Sequence, residues 1–274
     1  MPHTRCLLLL LTLGCAGDKA TDPSTDTELT DETDETDAPI DTEAPPDTDT
    51  PPCAAPSFAG ADPVVWYRLE DADNLTIDDA MDQHDGEAIG AVAAVAGKVG
   101  DGAEFSSADA AINAAPPFSP SAFSWAGWIR LDSNPSTFTT VAGLAGGPEA
   151  YTGWVFAITS GGVPTLFTEG GSAPTEIGTA APTALTLGAW THLAATLDDG
   201  HVELYVNGSS VASTDLAYTT MPAGSNSYWL GRDPNNDDRQ LDGALDEVGL
   251  WDVALSAADV AALVVDGECG LSSR

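Results

Sequence analysis

The stretch from Gly188 to Ser213, Gly-Ala-Trp-Thr-His-Leu-Ala-Ala-Thr-Leu-Asp-Asp-Gly-His-Val-Glu-Leu-Tyr-Val-Asn-Gly-Ser-Ser-Val-Ala-Ser, constrains the fold most, because turn chemistry and alternation dictate its backbone course. Asn207-Gly208 offers the two residues most tolerant of positive φ, as a type I′ hairpin turn requires, between runs rich in β-branched and aromatic residues. Asp198-Asp-Gly200 marks the turn before it. Three consecutive antiparallel strands follow. In the middle one Val202, Leu204 and Val206 share a face and Glu203 and Tyr205 share the other, the period of two expected where one face is buried.

Similar segments recur along the chain. Asp62-Pro-Val-Val-Trp-Tyr-Arg-Leu-Glu-Asp71 alternates as a strand before the polar loop Ala72 to Gly86, where Glu70, Asp71, Asp79 and Gly86 stand out. Glycine-punctuated Gly97-Lys-Val-Gly-Asp-Gly-Ala-Glu-Phe105 follows, then Phe123-Ser-Trp-Ala-Gly-Trp-Ile-Arg130. Gly161-Gly162 joins two strand candidates, Gly153 to Ser160 and Val163 to Thr168. Ser227-Tyr-Trp-Leu-Gly231 reads as a short strand, Arg232 to Gln240 as a polar loop, and Leu241-Asp-Gly-Ala-Leu-Asp-Glu-Val-Gly-Leu-Trp251 as the last strand. Ser256-Ala-Ala-Asp259 is a capping box that starts one helix reaching about Val265.

Trp-x-His-Leu-Ala followed by Leu-Tyr-Val-Asn-Gly, the Trp-Ile-Arg strand and Gly-x-Leu-Asp-Glu-Val resemble laminin-G-like jelly-roll domains of the concanavalin A-like lectin/glucanase fold, in the expected order over about residues 60–266. The resemblance implies an all-β fold: a two-sheet antiparallel jelly-roll sandwich with one short C-terminal helix.

Before this domain lie two other segments. Residues 1–15 have one early Arg and a short apolar run, Leu7–Leu13, too short to span a bilayer, as in a secretory signal. Its end, Leu11-Thr-Leu-Gly-Cys15, resembles a bacterial lipobox, which implies lipidation at Cys15 and, with Ala16 next, an outer-membrane or cell-surface address; a plain signal cut nearby is the alternative. Residues 16–52 are a Thr/Asp/Glu/Pro tract with thirteen acidic residues and one Lys, which cannot bury enough surface to offset its ordering entropy and reads as a disordered, extended linker. The domain is then 53–274. With Cys6 removed and Cys15 acylated, Cys53 and Cys269 are left at its two ends in an oxidising setting, either bridged or as two free thiols. A bridge between them contributes up to about 5 kcal/mol in the chain-entropy account.

The chain carries 43 acidic and 8 basic residues, a formal −35, of which −24 belongs to residues 53–274. That balance excludes nucleic acid and anionic membrane surfaces, whose binding needs Lys and Arg to displace counterions, and leaves neutral or cationic partners, including divalent cations. It contains no Glu-x-Asp-x-Glu of a glucanase strand, no Gly-x-Ser-x-Gly elbow and no His-Glu-x-x-His zinc motif. Thr196-Leu-Asp-Asp-Gly200 starts like a sialidase Asp-box but lacks the closing Trp, and a hairpin turn accounts for it. His192 shares a strand with Trp190 as a packing residue, and His84 and His201 sit at turns with no second ligand at metal spacing.

Calcium is the cofactor that the resemblance implies, as a structural ion held by loop oxygens. It points to Asp246, read here on the same strand face as Val248 and Leu250, with Asp71 and Asp79 from the loop after the first strand. Satisfaction of Asp246 by backbone amides alone is the alternative. Asp233-Pro-Asn-Asn-Asp237 resembles the start of a calcium loop through Asp233, Asn235 and Asp237, without its Gly or terminal Glu. Tyr205, Tyr151, Tyr218 and Tyr228 are the aromatics considered for sugar stacking, with core packing as their commoner fate. The sequons at Asn74 and Asn207 carry little weight in a bacterial lipoprotein. The expected function is a monomeric, non-catalytic surface module recognising glycans or proteins. The alternatives are a glycan hydrolase with a non-standard carboxylate pair and a purely structural envelope lipoprotein.

Overall fold

The computed structural model describes residues 61–107, 109–115, 121–145, 153–169, 177–219, 227–233 and 239–265. All lie in the unit Pro51–Arg274. Cys15, Cys53, Cys269, Tyr151, Asn235 and Asp237, and with them the signal, the linker and the disulfide, fall outside the described residues.

Alternating apolar runs separated by glycine turns build two antiparallel sheets. The first, in spatial order, holds β14 (Ser209–Asp215), β13 (His201–Val206), β12 (Trp190–Asp198), β7 (Phe123–Leu131), β16 (Gly243–Trp251), β5 (Asp101–Phe105) and β4 (Ala93–Ala96), and β1 (Val65–Tyr67) adds to the far half of β16. The second holds β11 (Ile177–Ala180), β10 (Val163–Glu169), β9 (Gly153–Thr159), β8 (Phe138–Ala145), β15 (Ser227–Leu230), β6 (Ala111–Ala114), β3 (Gly86–Ile89) and β2 (Thr76–Ile77). The hairpins form where turn chemistry places them: Asn207 and Gly208 have φ of 49° and 76°, and Asp199 and Gly200 have 44° and 82°.

Between the sheets lies one large apolar core. Trp125 stacks on Phe156 and Phe123 on Trp154, both at 4.9 Å between ring centroids, so the long strands β7 and β9 meet face to face. The Trp125 indole N–H donates to the Tyr228 hydroxyl at 2.9 Å, which satisfies both polar atoms inside the core. Tyr228 is therefore a core residue and no stacking platform, while Tyr218 is partly buried against the same cluster.

A second cluster sits on the outer face of the first sheet. Trp66, Trp251, Ala126, Ala194 and Tyr205 are covered there by Leu255, Val260 and Leu263, the last two on α1 (Ala257–Val265). The helix starts as its capping box dictates: Ser256 N–H donates to Asp259 Oδ2 at 3.1 Å, and Asp259 N–H to Ser256 Oγ at 3.2 Å. Tyr205 does alternate away from the main core, but the helix cluster buries it to 1% exposure, which removes it as a sugar-stacking residue.

One expectation fails on β16. The register shifts between Asp246 and Gly249, and Glu247 takes a φ of 49°, so a bulge inserts one residue. Leu245, Val248 and Leu250 consequently point into the core, while Asp246 lies on the opposite, outer face with its cross-strand neighbour Trp128. Simple alternation put Asp246 with Val248 and Leu250; the bulge reverses that.

Candidate functional site

The second sheet presents one outward residue from each of its eight strands in a continuous transverse row. Because Tyr228 and Leu230 of β15, Ile112 and Ala114 of β6, and Trp154 and Phe156 of β9 point inward, the residues between them point out. Trp229 of β15 stands opposite Asn113 of β6 on one side and Gly143 of β8 on the other. Beyond Asn113 come Glu87 of β3 and Thr76 of β2. Beyond Gly143 come Val155 of β9, Phe167 of β10 and Gly178 of β11.

The chemistry of that row is uneven. Trp229 is half-buried, Glu87 and Thr76 are exposed, and Gly143, which contributes no side chain, is itself buried. At the strand spacing of a sheet, Trp229 lies about 10 Å from Glu87 and about 15 Å from Phe167. The Asn113 side-chain amide donates to the Tyr228 carbonyl at 3.3 Å, which leaves its carbonyl oxygen to accept from outside. Phe167 leans on Phe138 with centroids 5.8 Å apart, and the Arg239 guanidinium lies 3.9 Å above the Phe138 ring. Aromatic faces thus occupy one half of the row, and hydrogen-bonding side chains the other.

The carboxylates named as calcium candidates are placed differently from one another. Asp79 is buried, and four backbone N–H groups converge on it: Trp66 at 2.8 Å and Met81 at 3.1 Å on Oδ1, His84 at 3.0 Å and Gln83 at 3.3 Å on Oδ2. Its lone pairs are spent on shaping the loop after β1. Asp71 Oδ2 accepts the Asp78 N–H at 2.9 Å. Asp233 pairs with Arg239 at 2.8 Å. Asp246 Oδ2 accepts the N–H groups of Lys98 and Val99, at 2.6 and 2.8 Å, at the tip of the β4–β5 hairpin. Its Oδ1 is buried with no hydrogen-bond partner among the described residues.

Burial pushes Asp246 up to about 7, against the pull of the two amides. Burial, and next the neighbouring Asp246, push Glu247 up to about 8. A buried carboxyl that keeps its proton offsets its own desolvation without a metal. Calcium takes six to eight oxygens. Among the described residues no three His, Cys, Asp or Glu side chains gather to hold a metal ion.

Nor do the histidines build a site. His192 is buried against Trp128, 5.3 Å between centroids, and burial holds its imidazole down at about 3. His84 uses its backbone carbonyl to accept the Tyr67 hydroxyl, and His201 forms an exposed pair with Asp215 at 2.6 Å.

The family model of the concanavalin A-like lectin/glucanases superfamily matches residues 103–261, from β5 into α1. The chain belongs to this superfamily. No curated protein matches it. Among solved structures, the binding domain of Paraclostridial Mosquitocidal Protein 1 is similar at 16% identity and a TM-score of 0.59, covering 74% of this chain and 51% of that one. Domain 4 of AbnA, an extracellular arabinanase from Geobacillus stearothermophilus solved in complex with arabinotriose, is similar at 19% identity and a TM-score of 0.54, covering 73% and 97%. Trypanosoma rangeli sialidase is similar at 13% identity and a TM-score of 0.60, covering 79% of this chain and 35% of that one. The chain thus spans about half of the toxin domain and about a third of the sialidase. At these identities the likeness is one of fold.

Within this lectin/glucanase fold, Trp229, Asn113 and Glu87 are the residues that sequence reasoning passed over. Ser227-Tyr-Trp-Leu alternates, but both central residues are aromatic, so alternation alone does not say which one points out. Only the pairing of Tyr228 with Leu144 and of Trp229 with Gly143 decides it.

Proposed function

We propose that the domain is a non-catalytic recognition module that binds glycan across the outer face of the second sheet. The carrying observation is the half-buried Trp229 on that face, with the side-chain-free Gly143 beside it and Asn113 and Glu87 on its other flank. A half-buried indole on a sheet face offers its ring to the C–H side of a pyranose, and neighbouring acceptors orient the hydroxyls. Strand spacing is close to the width of one sugar ring, so an oligosaccharide lying across the strands meets one row position per residue. The similar domain of AbnA, solved with arabinotriose bound, supports a sugar over a protein ligand.

Nothing among the described residues favours bond cleavage. The two acids held nearest neutrality, Asp246 and Glu247, are adjacent on a bulge of the first sheet, and Asp246 is fully buried, so they do not flank a substrate bond. Under this reading the acidic linker and an acylated Cys15 would hold the module away from the membrane. Metabolic labelling with a fatty-acid probe, with and without Cys15→Ser, tests the anchor.

The function is tested with a glycan array and titration calorimetry on the wild-type chain and Trp229→Ala, with reducing-sugar release measured alongside. Binding lost in the variant, with no sugar released, is the expected outcome. Equal binding by the variant, or turnover, overturns the reading.

A further inference from the structure

We infer that this face selects a glycan bearing a free amine, its ammonium set against Glu87 while another ring of the same glycan stacks on Trp229. The inference rests on the glycan-binding reading above and adds the ligand's chemical class.

Three observations carry it. Glu87 is the one charged residue of the transverse row, and it is exposed. Among the described residues it forms no ion pair, whereas Arg130 is taken by Glu104 and Asp132, and Arg239 by Asp233. Beside it, directly across the β3–β6 pair, Asn113 donates one N–H of its amide to the Tyr228 carbonyl, and its side-chain oxygen has no hydrogen-bond partner among the described residues. The polar flank of Trp229 therefore presents a carboxylate next to an amide and no charged donor.

A sugar carboxylate or sulfate meets repulsion there, and the net −24 of residues 53–274 reinforces it. A neutral sugar is accommodated through its hydroxyls. An ammonium brings three donors and a positive charge, which suits a carboxylate and a carbonyl oxygen on neighbouring strands, whose Cβ atoms lie about 5 Å apart. Glu87 and Trp229 stand two strand spacings apart, about two ring widths, so the amine belongs to a sugar near the stacked one and not to the same ring.

The test is calorimetric titration of the full chain with glucosamine oligosaccharides, their fully N-acetylated counterparts and neutral glucose oligosaccharides of equal length, at a pH where the amine is protonated. The glucosamine series is expected to bind roughly tenfold more tightly than the other two, the effect of one charge-assisted hydrogen bond near a surface. Glu87→Gln should remove that preference, so that the three series bind the variant with equal affinity. Trp229→Ala should abolish all three. Equal affinity for the three series overturns the inference while leaving the glycan-binding face intact. Binding of none of them overturns the face itself. An amine preference that survives Glu87→Gln, and vanishes with salt, is diffuse attraction to an acidic chain and also overturns the inference.

Discussion

The carboxyls of Asp246 and Glu247 make stability depend on pH in an unusual direction. Both hold their protons more tightly in the fold than in the unfolded chain, from 3.8 to about 7 and from 4.5 to about 8. Their contribution is complete below the ordinary carboxylate range and is lost as pH rises through 7 and 8. His192 acts oppositely, since its depressed value costs stability as pH falls below 6.5. Above that pH it is neutral in both states. Between pH 6.5 and 9 the melting temperature of the wild-type chain is expected to fall by roughly 5 °C. Asp246→Asn with Glu247→Gln flattens that slope, and thermal melts across the series check it. A second residue-scale expectation concerns Gly231, whose φ is +78° and where an added Cβ falls 2.2 Å from the Phe105 ring. Gly231→Ala combines backbone strain with overpacking and should cost roughly 2–4 kcal/mol in denaturant unfolding.

Among the elements, α1 and β16 show how local chemistry and neighbours divide the work. The helix forms because Ser256 and Asp259 cap it reciprocally, and it persists because Val260 and Leu263 bury on the outer face of the first sheet. Ser256→Ala should cost about 1 kcal/mol and loosen Tyr205 and Trp251 beneath it, read by denaturant unfolding and tryptophan fluorescence. The bulge in β16 lets one strand serve two partners on one edge, β5 before it and β1 after it. It also turns Asp246 outward to seize the β4–β5 hairpin tip. Two carboxylates clamp that tip, since Glu70 Oε2 also accepts the Asp101 N–H at 2.9 Å.

Over the whole molecule the governing quantity is charge. A formal −35 opposes compaction through self-repulsion, so salt should raise the melting temperature until screening saturates. Calcium and magnesium at equal ionic strength are expected to act alike, because Asp71, Asp79, Asp233 and Asp246 already spend oxygens on N–H donors or on Arg239. A calcium-specific gain, lost in Asn235→Ala with Asp237→Ala, would instead place a bound ion in the loop at 234–238. The opposite sheet faces also differ in kind. A helix covers part of the first sheet's outer face, while the second carries the row around Trp229.

Much of this architecture was legible in the sequence, because its determinants are local. Period-two runs mark strands, Asn207-Gly208 and Asp199-Gly200 dictate tight hairpins, and Ser256 with Asp259 announces the helix. The acidic composition alone carries the expectation of neutral or cationic partners. What the tertiary structure decided was which face each residue serves. The bulge at Glu247 moved Asp246 across the sheet, a helix distant in sequence covered Tyr205, and pairing with Gly143 aimed Trp229 outward in place of Tyr228. These outcomes depend on strands far apart in the chain meeting in one register, and a one-residue shift there exchanges the faces of every side chain beyond it.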